Sequence, residues 1–174
     1  TVAEQLQQLA IVDSVKWIWK GNLRVPAEEK WEDRFVSEDE PLHNEYGYSY
    51  KQIKMLNGTK LHEAGFRGEG MRVAVIDAGF MNADRASAFD SLRLLGTHNV
   101  VFPGKSVFVG DDHGTKVLSC LAADIPGVMV GTAPKASYLL LKSEDSDSEY
   151  PVEEDYWTAA VEYADSAGVD AVSY

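Results

Sequence analysis

Apolar and polar residues follow two kinds of pattern along the chain. Continuous apolar runs occupy residues 73–76 (in MRVAVIDAGF) and 136–142 (ASYLLLK), and VDAVSY opens a third at residue 169. Short apolar runs bounded by turn residues are typical of strands buried on both faces of a parallel sheet. A helical period runs through residues 115–125 and again through residues 151–167. The order strand, helix, strand, helix, strand predicts an α/β fold with a mostly parallel sheet.

Residues that typically begin and end helices support the helix predicted over 151–167, and a third helical segment precedes the first strand. Pro151 stands at a first-turn position, three acidic residues follow at 153–155, and Gly168 follows the predicted end. The residues predicted to share the apolar face of this helix are Val152, Tyr156, Trp157, Ala160, Val161 and Ala164. Residues 50–64 also carry apolar residues at helix-like intervals, and glycines then break the chain before the first buried strand.

The residues before position 46 follow different patterns from the rest, so we divide the chain into three regions. Residues 1–25 predict a short helix followed by an alternating strand, which is a small α+β unit. Residues 26–45 are rich in acidic residues and proline with weak periodicity, so we interpret them as a linker. Residues 46–174 carry the α/β pattern and form the main domain.

Composition and net charge argue against several classes of partner and site. Sixteen basic residues against 28 acidic ones give a formal net charge of −12, and no basic cluster exists to neutralise phosphates, so nucleic acid is disfavoured. No window approaches the roughly 18 consecutive apolar residues of a transmembrane helix. The single cysteine, Cys120, rules out an internal disulfide and a cysteine-based zinc site, and its apolar surroundings predict a buried side chain.

Two candidate catalytic residues lie where the reactive groups of parallel-sheet proteins are commonly found, beyond the carboxyl ends of the strands. Asp77 comes directly after the first buried strand, and His113 begins a helical segment 36 residues later. Taken alone, the aspartate suits a turn and the histidine suits a surface or cap position. Together they fit an acid–histidine pair, in which the carboxylate orients the imidazole and the second ring nitrogen deprotonates a hydroxyl nucleophile. Gly114 would leave room beside the ring for substrate and nucleophile.

Metal binding is the alternative at these positions. A site built from Asp77, His113 and either Asp111 or Asp112 is conceivable, but no second histidine lies at helical spacing. The acidic stretch SEDSDSE, residues 143–149, could hold a structural calcium ion, although it lacks the spacing of a calcium-binding loop and a solvated acidic loop explains it. No other cofactor is indicated.

Several motifs in order resemble the subtilisin-like serine proteases. VAVIDAG (73–79) is similar to the Asp motif of that family, HGTKVLSCLAA (113–123) to its His motif, and GVMVGTAPKASYLLLK (127–142) to the segment that follows. The segments at 47–70 and 167–174 resemble the lead-in to the mature enzyme and the next core strand. The resemblance implies a three-layer subtilisin-like fold, a serine endopeptidase activity on polypeptide substrates, and catalytic roles for Asp77 and His113.

The same resemblance implies a role for the first residues of the chain and a catalytic residue that the chain lacks. Residues 1–25 are similar to the end of the inhibitory propeptide of these proteases, which implies a zymogen that is secreted or held at the cell surface. The family's nucleophile lies in a Gly-Thr-Ser motif, and none of the four Gly-Thr pairs here precedes a serine. We therefore expect an incomplete fold whose remainder carries the serine, and a 174-residue chain that is inactive by itself.

Two other functions stay open at this stage. A relative that keeps the fold but has lost the nucleophile would be a non-catalytic binding module. A metallohydrolase would use Asp77 and His113 as ligands instead of as a proton-transfer pair. The residues that follow Tyr174 would distinguish the binding module from the protease, and metal analysis of the purified protein would distinguish the metallohydrolase.

Overall fold

The computed structural model describes residues 45–148 and 150–174. The predicted N-terminal unit, residues 1–25, and the predicted linker up to residue 44 lie outside the described residues. The helices and strands, in chain order, are α1 Tyr50–Met55, α2 Gly58–Glu63, β1 Arg72–Asp77, a 3₁₀ turn Ser87–Phe89, β2 Arg93–Asn99, α3 His113–Ala122, β3 Asp124–Ile125, β4 Met129–Val130, β5 Ser137–Lys142, α4 Val152–Ser166 and β6 Ala171–Ser173.

A four-stranded sheet in the order β2-β5-β1-β6 organises the domain. Each neighbouring pair runs parallel, and the register of the central pair sets Arg72 opposite Ser137 and Asp77 opposite Lys142. From β1 the chain crosses to the edge strand β2, returns to β5 beside β1, and then passes over β1 to β6, so loops converge beyond the carboxyl ends of the two central strands. Asp77 is the last residue of β1 and lies at that edge. The expected α/β fold with a mostly parallel sheet is confirmed.

Helices cover both faces of the sheet and give three layers. On one face, Leu118 and Ala122 of α3 pack against the β1 and β5 side chains Val75, Tyr138 and Leu140. On the other face, α4 places two buried alanines, Ala160 and Ala164, against the alternate side chains of the same two strands. The central strands therefore bury both of their faces, which explains their continuous apolar sequences.

The third predicted strand exists but is not buried. In β6, Val172 is 45% exposed, because the strand lies at the edge of the sheet and pairs with β1 alone in the described part of the chain. The other edge strand, β2, escaped the sequence analysis. Its sequence RLLGTHN is interrupted by Gly96, a register shift separates Leu94 from Gly96, and most of its residues are exposed.

Three local predictions need correction. Residues 50–64 form two helices instead of one, because Asn57 adopts a left-handed conformation with φ of 57° between them. The helix begins at His113, as predicted, but it ends at Ala122, short of the predicted end of the periodic stretch at residue 125, and β3 follows. Cys120 is exposed, not buried, because it lies on the outer side of α3.

The apolar face predicted for α4 is only partly buried. Val152 and Trp157 remain 40% and 37% exposed, whereas the two alanines are fully buried. Within the described residues, no helix combines the length and the hydropathy that crossing a bilayer requires.

Candidate active site

Asp77 is held rigidly at the end of the central strand. Its side chain is almost fully buried, and its Oδ1 accepts a hydrogen bond of 2.7 Å from the backbone N–H of Ala78. The backbone N–H of Ser143, just beyond the end of β5, donates to the Asp77 carbonyl oxygen at 3.1 Å. The carboxylate therefore leaves the sheet at a defined point and in a defined orientation.

His113 is placed by the start of α3. Its backbone N–H donates to Asp111 Oδ1 at 2.7 Å, which satisfies one of the amide groups left unbonded at a helix start. The imidazole side chain is 68% exposed. The ring is thus anchored through its backbone while its outer edge faces solvent.

The two side chains meet. Nδ1 of His113 lies 2.9 Å from Oδ1 and 3.0 Å from Oδ2 of Asp77, so Nδ1–H donates to the carboxylate. This arrangement selects the tautomer that leaves Nε2 as the acceptor, at the exposed edge of the ring. The pair can therefore accept a proton from a hydroxyl group placed at Nε2.

The carboxylate raises the pKa of His113 above its ordinary value. The hydrogen bond to Asp77 is the largest cause, burial opposes it, and the negative charges of Asp77, Asp111 and Glu144 add to it. The charged imidazolium is the form that these groups stabilise, which is the electrostatic requirement for a ring that takes up a proton during a reaction.

Gly114 is required by packing between the helix and the strand. A Cβ atom at this position would lie 2.5 Å from the carbonyl oxygen of Gly79, 2.8 Å from the Phe80 ring and 2.9 Å from Asp77 Cβ. The missing side chain faces the turn after Asp77, not the open side of the imidazole. The expectation that Gly114 clears space for substrate is wrong; it lets α3 approach β1 closely enough for the two catalytic candidates to touch.

Lys142 is a residue of this site that sequence analysis missed. It is buried opposite Asp77 in the sheet, and its Nζ donates a hydrogen bond to the carbonyl oxygen of Ala78. The available signal was a lone basic residue at the end of an otherwise apolar run. Among the described residues, the neighbouring Ser143 Oγ is buried without a hydrogen-bond partner.

The residues considered for metal binding are engaged in other contacts. Asp111 accepts from the His113 backbone, and Asp112 Oδ1 lies 2.9 Å from Nζ of Lys116. In the acidic stretch, Asp145 accepts from the backbone of Asp147. Within residues 45–148 and 150–174, no group of three histidine, cysteine or acidic side chains is arranged to hold a metal ion.

Comparisons with known proteins give partial matches. The chain is 32% identical over 115 residues to subtilisin E of Bacillus subtilis (strain 168), covering 64% of this chain and 29% of that protein. It is 29% identical over 129 residues to the major intracellular serine protease of the same strain, covering 70% of this chain and 38% of that protein. No family model matches the chain.

A solved structure shares the fold. The crystal structure of MycP1 with the N-terminal propeptide removed superimposes with a TM-score of 0.52 at 18% identity, over 72% of this chain and 36% of that chain. At that identity the match bears on the fold alone. The chain spans about a third of the length of the curated relatives it matches.

Proposed function

Because the chain is subtilase-like and spans about a third of its curated relatives, we propose that it supplies two members of a serine endopeptidase triad. In this proposal Asp77 and His113 act together, and a serine outside the 174 residues provides the nucleophile. The substrates are polypeptides, and the reaction is hydrolysis of a peptide bond through an acyl-enzyme. The observation that carries the proposal is the double contact of His113 Nδ1 with the Asp77 carboxylate.

Each residue has a definite part in that reaction. His113 Nε2 takes the proton of the serine hydroxyl as the oxygen attacks the substrate carbonyl, and later gives it to the leaving amine. Asp77 keeps the ring oriented and stabilises its charged form, and its burial and the Ala78 N–H hold it in place. In subtilisin, loss of either corresponding residue lowers turnover by about 10⁴-fold or more.

The first test asks where the nucleophile lies. We expect a fluorophosphonate probe to label the full-length protein that contains these residues, and not the 174-residue chain alone. His113→Ala and Asp77→Asn should abolish labelling and peptide hydrolysis, whereas the neighbouring Asp112→Asn should retain both. Labelling of the 174-residue chain itself would place a nucleophile inside it and overturn the division of the triad.

Two results would favour the other functions. A folded full-length protein that neither reacts with the probe nor cleaves peptides would indicate a non-catalytic binding module. Stoichiometric zinc in the purified protein, with activity lost on chelation, would indicate a metallohydrolase.

Secretion and zymogen processing also belong to this proposal. One of the matched relatives is named as an intracellular protease, so the compartment does not follow from the match. We propose an extracellular enzyme with residues 1–25 as the end of an inhibitory propeptide. Mass spectrometry of the mature protein tests this, because its first residue should fall within or close after residues 26–45.

A further inference from the structure

The turn that follows Asp77 is held by a buried cation. Lys142 lies opposite Asp77 in the parallel β1–β5 pair, so the two side chains leave the sheet on the same face, on strands about 5 Å apart. The residue is only 6% exposed, and its Nζ donates to the carbonyl oxygen of Ala78, the residue directly after Asp77. The ammonium group therefore connects the end of β5 to the turn that carries the carboxylate.

A single residue, Ala78, links the Lys142 ammonium group to the Asp77 carboxylate. The N–H of Ala78 donates to Asp77 Oδ1, and the carbonyl of the same residue accepts from Lys142. The next residue in the turn, Gly79, packs its carbonyl oxygen against Gly114 of α3. Holding the Ala78 carbonyl thus holds a turn that bonds the Asp77 carboxylate on one side and contacts the helix start at Gly114 on the other.

We propose that Lys142 is a positioning residue that keeps the Asp77 carboxylate aligned with His113 Nδ1. A buried ammonium is costly to desolvate and is retained only where polar groups compensate it, and the Ala78 carbonyl oxygen is one such group. Methionine would fill the same volume with no donor, so a merely space-filling role predicts no effect on the imidazole. The consequence for turnover rests on the proposed endopeptidase function; the effect on His113 does not.

The test observes the histidine ring directly. In the ¹⁵N-labelled 174-residue chain, at a pH where His113 is neutral, ring nitrogen shifts report how much of it carries the proton on Nδ1. We expect the Nδ1–H form to dominate, and Lys142→Met to raise the Nε2–H population by about twofold or more, because the carboxylate is no longer held in line. Asp77→Asn gives the reference for a ring that no carboxylate orients.

A matched control and a second variant guard against general damage. Lys135→Met removes a different lysine, which is partly buried and ion-paired with Asp124 near the opposite end of β5, and should leave the tautomer unchanged. Lys142→Gln keeps a polar N–H in the buried position but is one atom shorter, so we expect the same shift as for methionine. Near-UV circular dichroism identifies the folded variants. An unchanged tautomer in a folded Lys142 variant overturns the proposal.

The full-length protein separates this inference from the proposed function. If it is a peptidase, Lys142→Met should lower kcat by about 10- to 100-fold with little change in KM, as a small misplacement of catalytic groups does. If the full-length protein fails to react with the fluorophosphonate, the endopeptidase proposal fails. The tautomer shift in the 174-residue chain then still decides whether Lys142 positions the pair.

Discussion

At the scale of single residues, the site is a buried acid and an exposed base joined at Nδ1. Asp77 and His113 could be chosen from the sequence because one ends an apolar run and the other begins a helical period. Lys142 also ends an apolar run, but its role could not be inferred, because its partner is a backbone carbonyl 64 residues away that only the β1–β5 register brings near. Gly114 was singled out from the sequence, but the reason for a glycine there was not predicted, because the sequence does not show which atoms a side chain at that position would contact.

The raised pKa of His113 predicts a pH-dependent contribution to stability. A pKa that is higher in the folded state stabilises the fold fully below the unfolded value of about 6.5, and the contribution disappears as the pH rises through the folded value. Asp77→Asn should therefore lower the His113 pKa measured by NMR. It should also reduce the free energy of unfolding more at about pH 5.5 than at about pH 9.

Asp112→Asn is the control for that experiment, because Asp112 pairs with Lys116 instead of with the imidazole. It should shift the His113 pKa far less. Equal shifts in the two variants would mean that general negative charge, and not the hydrogen bond from Asp77, sets the pKa.

At the scale of elements, the site depends on how closely α3 approaches β1. Sequence periodicity located the body of this helix from residue 115 onward, and the helix itself starts two residues before that stretch, at His113, because periodicity reports buried side chains and not the caps that begin a helix. The start at His113 is set by the Asp111 carboxylate, which accepts from the His113 backbone, and by the contact of Gly114 with the turn after Asp77.

Gly114→Ala tests this packing. Alanine is favoured over glycine in a helix by about 1 kcal/mol, yet its Cβ would collide with backbone and ring atoms. We expect a net loss of about 1–3 kcal/mol in the free energy of unfolding, measured by urea denaturation, together with a weaker His113–Asp77 hydrogen bond.

Cys120→Ala, on the exposed side of the same helix, is the matched control and should change stability by less than about 0.5 kcal/mol. A Gly114→Ala protein as stable as the parent would show that the helix can move away from the strand at no cost.

At the scale of the whole molecule, the buried surface of the described residues is concentrated in the middle of the sheet. β1 and β5 bury both faces between α3 and α4, whereas β2 and β6 form the edges and expose most of their residues. Sequence patterning predicted the two central strands well, because double burial leaves an unbroken apolar run. It missed β2 and overstated β6, because edge strands carry mixed sequences whose burial depends on which neighbours cover them.

Hydrogen exchange should follow this gradient. Backbone amides of β1 and β5 should exchange slowest, near the rate of global unfolding, and those of β6 and β2 markedly faster, because local opening of an edge strand exposes little buried surface. Residue-resolved exchange measured by NMR on the 174-residue chain checks the order. Uniform protection across all four strands would contradict the expectation that β6 and β2 open locally.

The sequence by itself determined the fold class, the two central strands, the positions of the main helices and the two residues of the acid–histidine pair. These follow from hydrophobic periodicity and from the position of polar residues at the ends of apolar runs, which are local properties of the chain. Only the tertiary structure decided that the pair is in contact, that Gly114 permits the contact and that Lys142 holds the turn. Those facts depend on the register of parallel strands and on the approach of a helix to a sheet, which arise between segments distant in sequence.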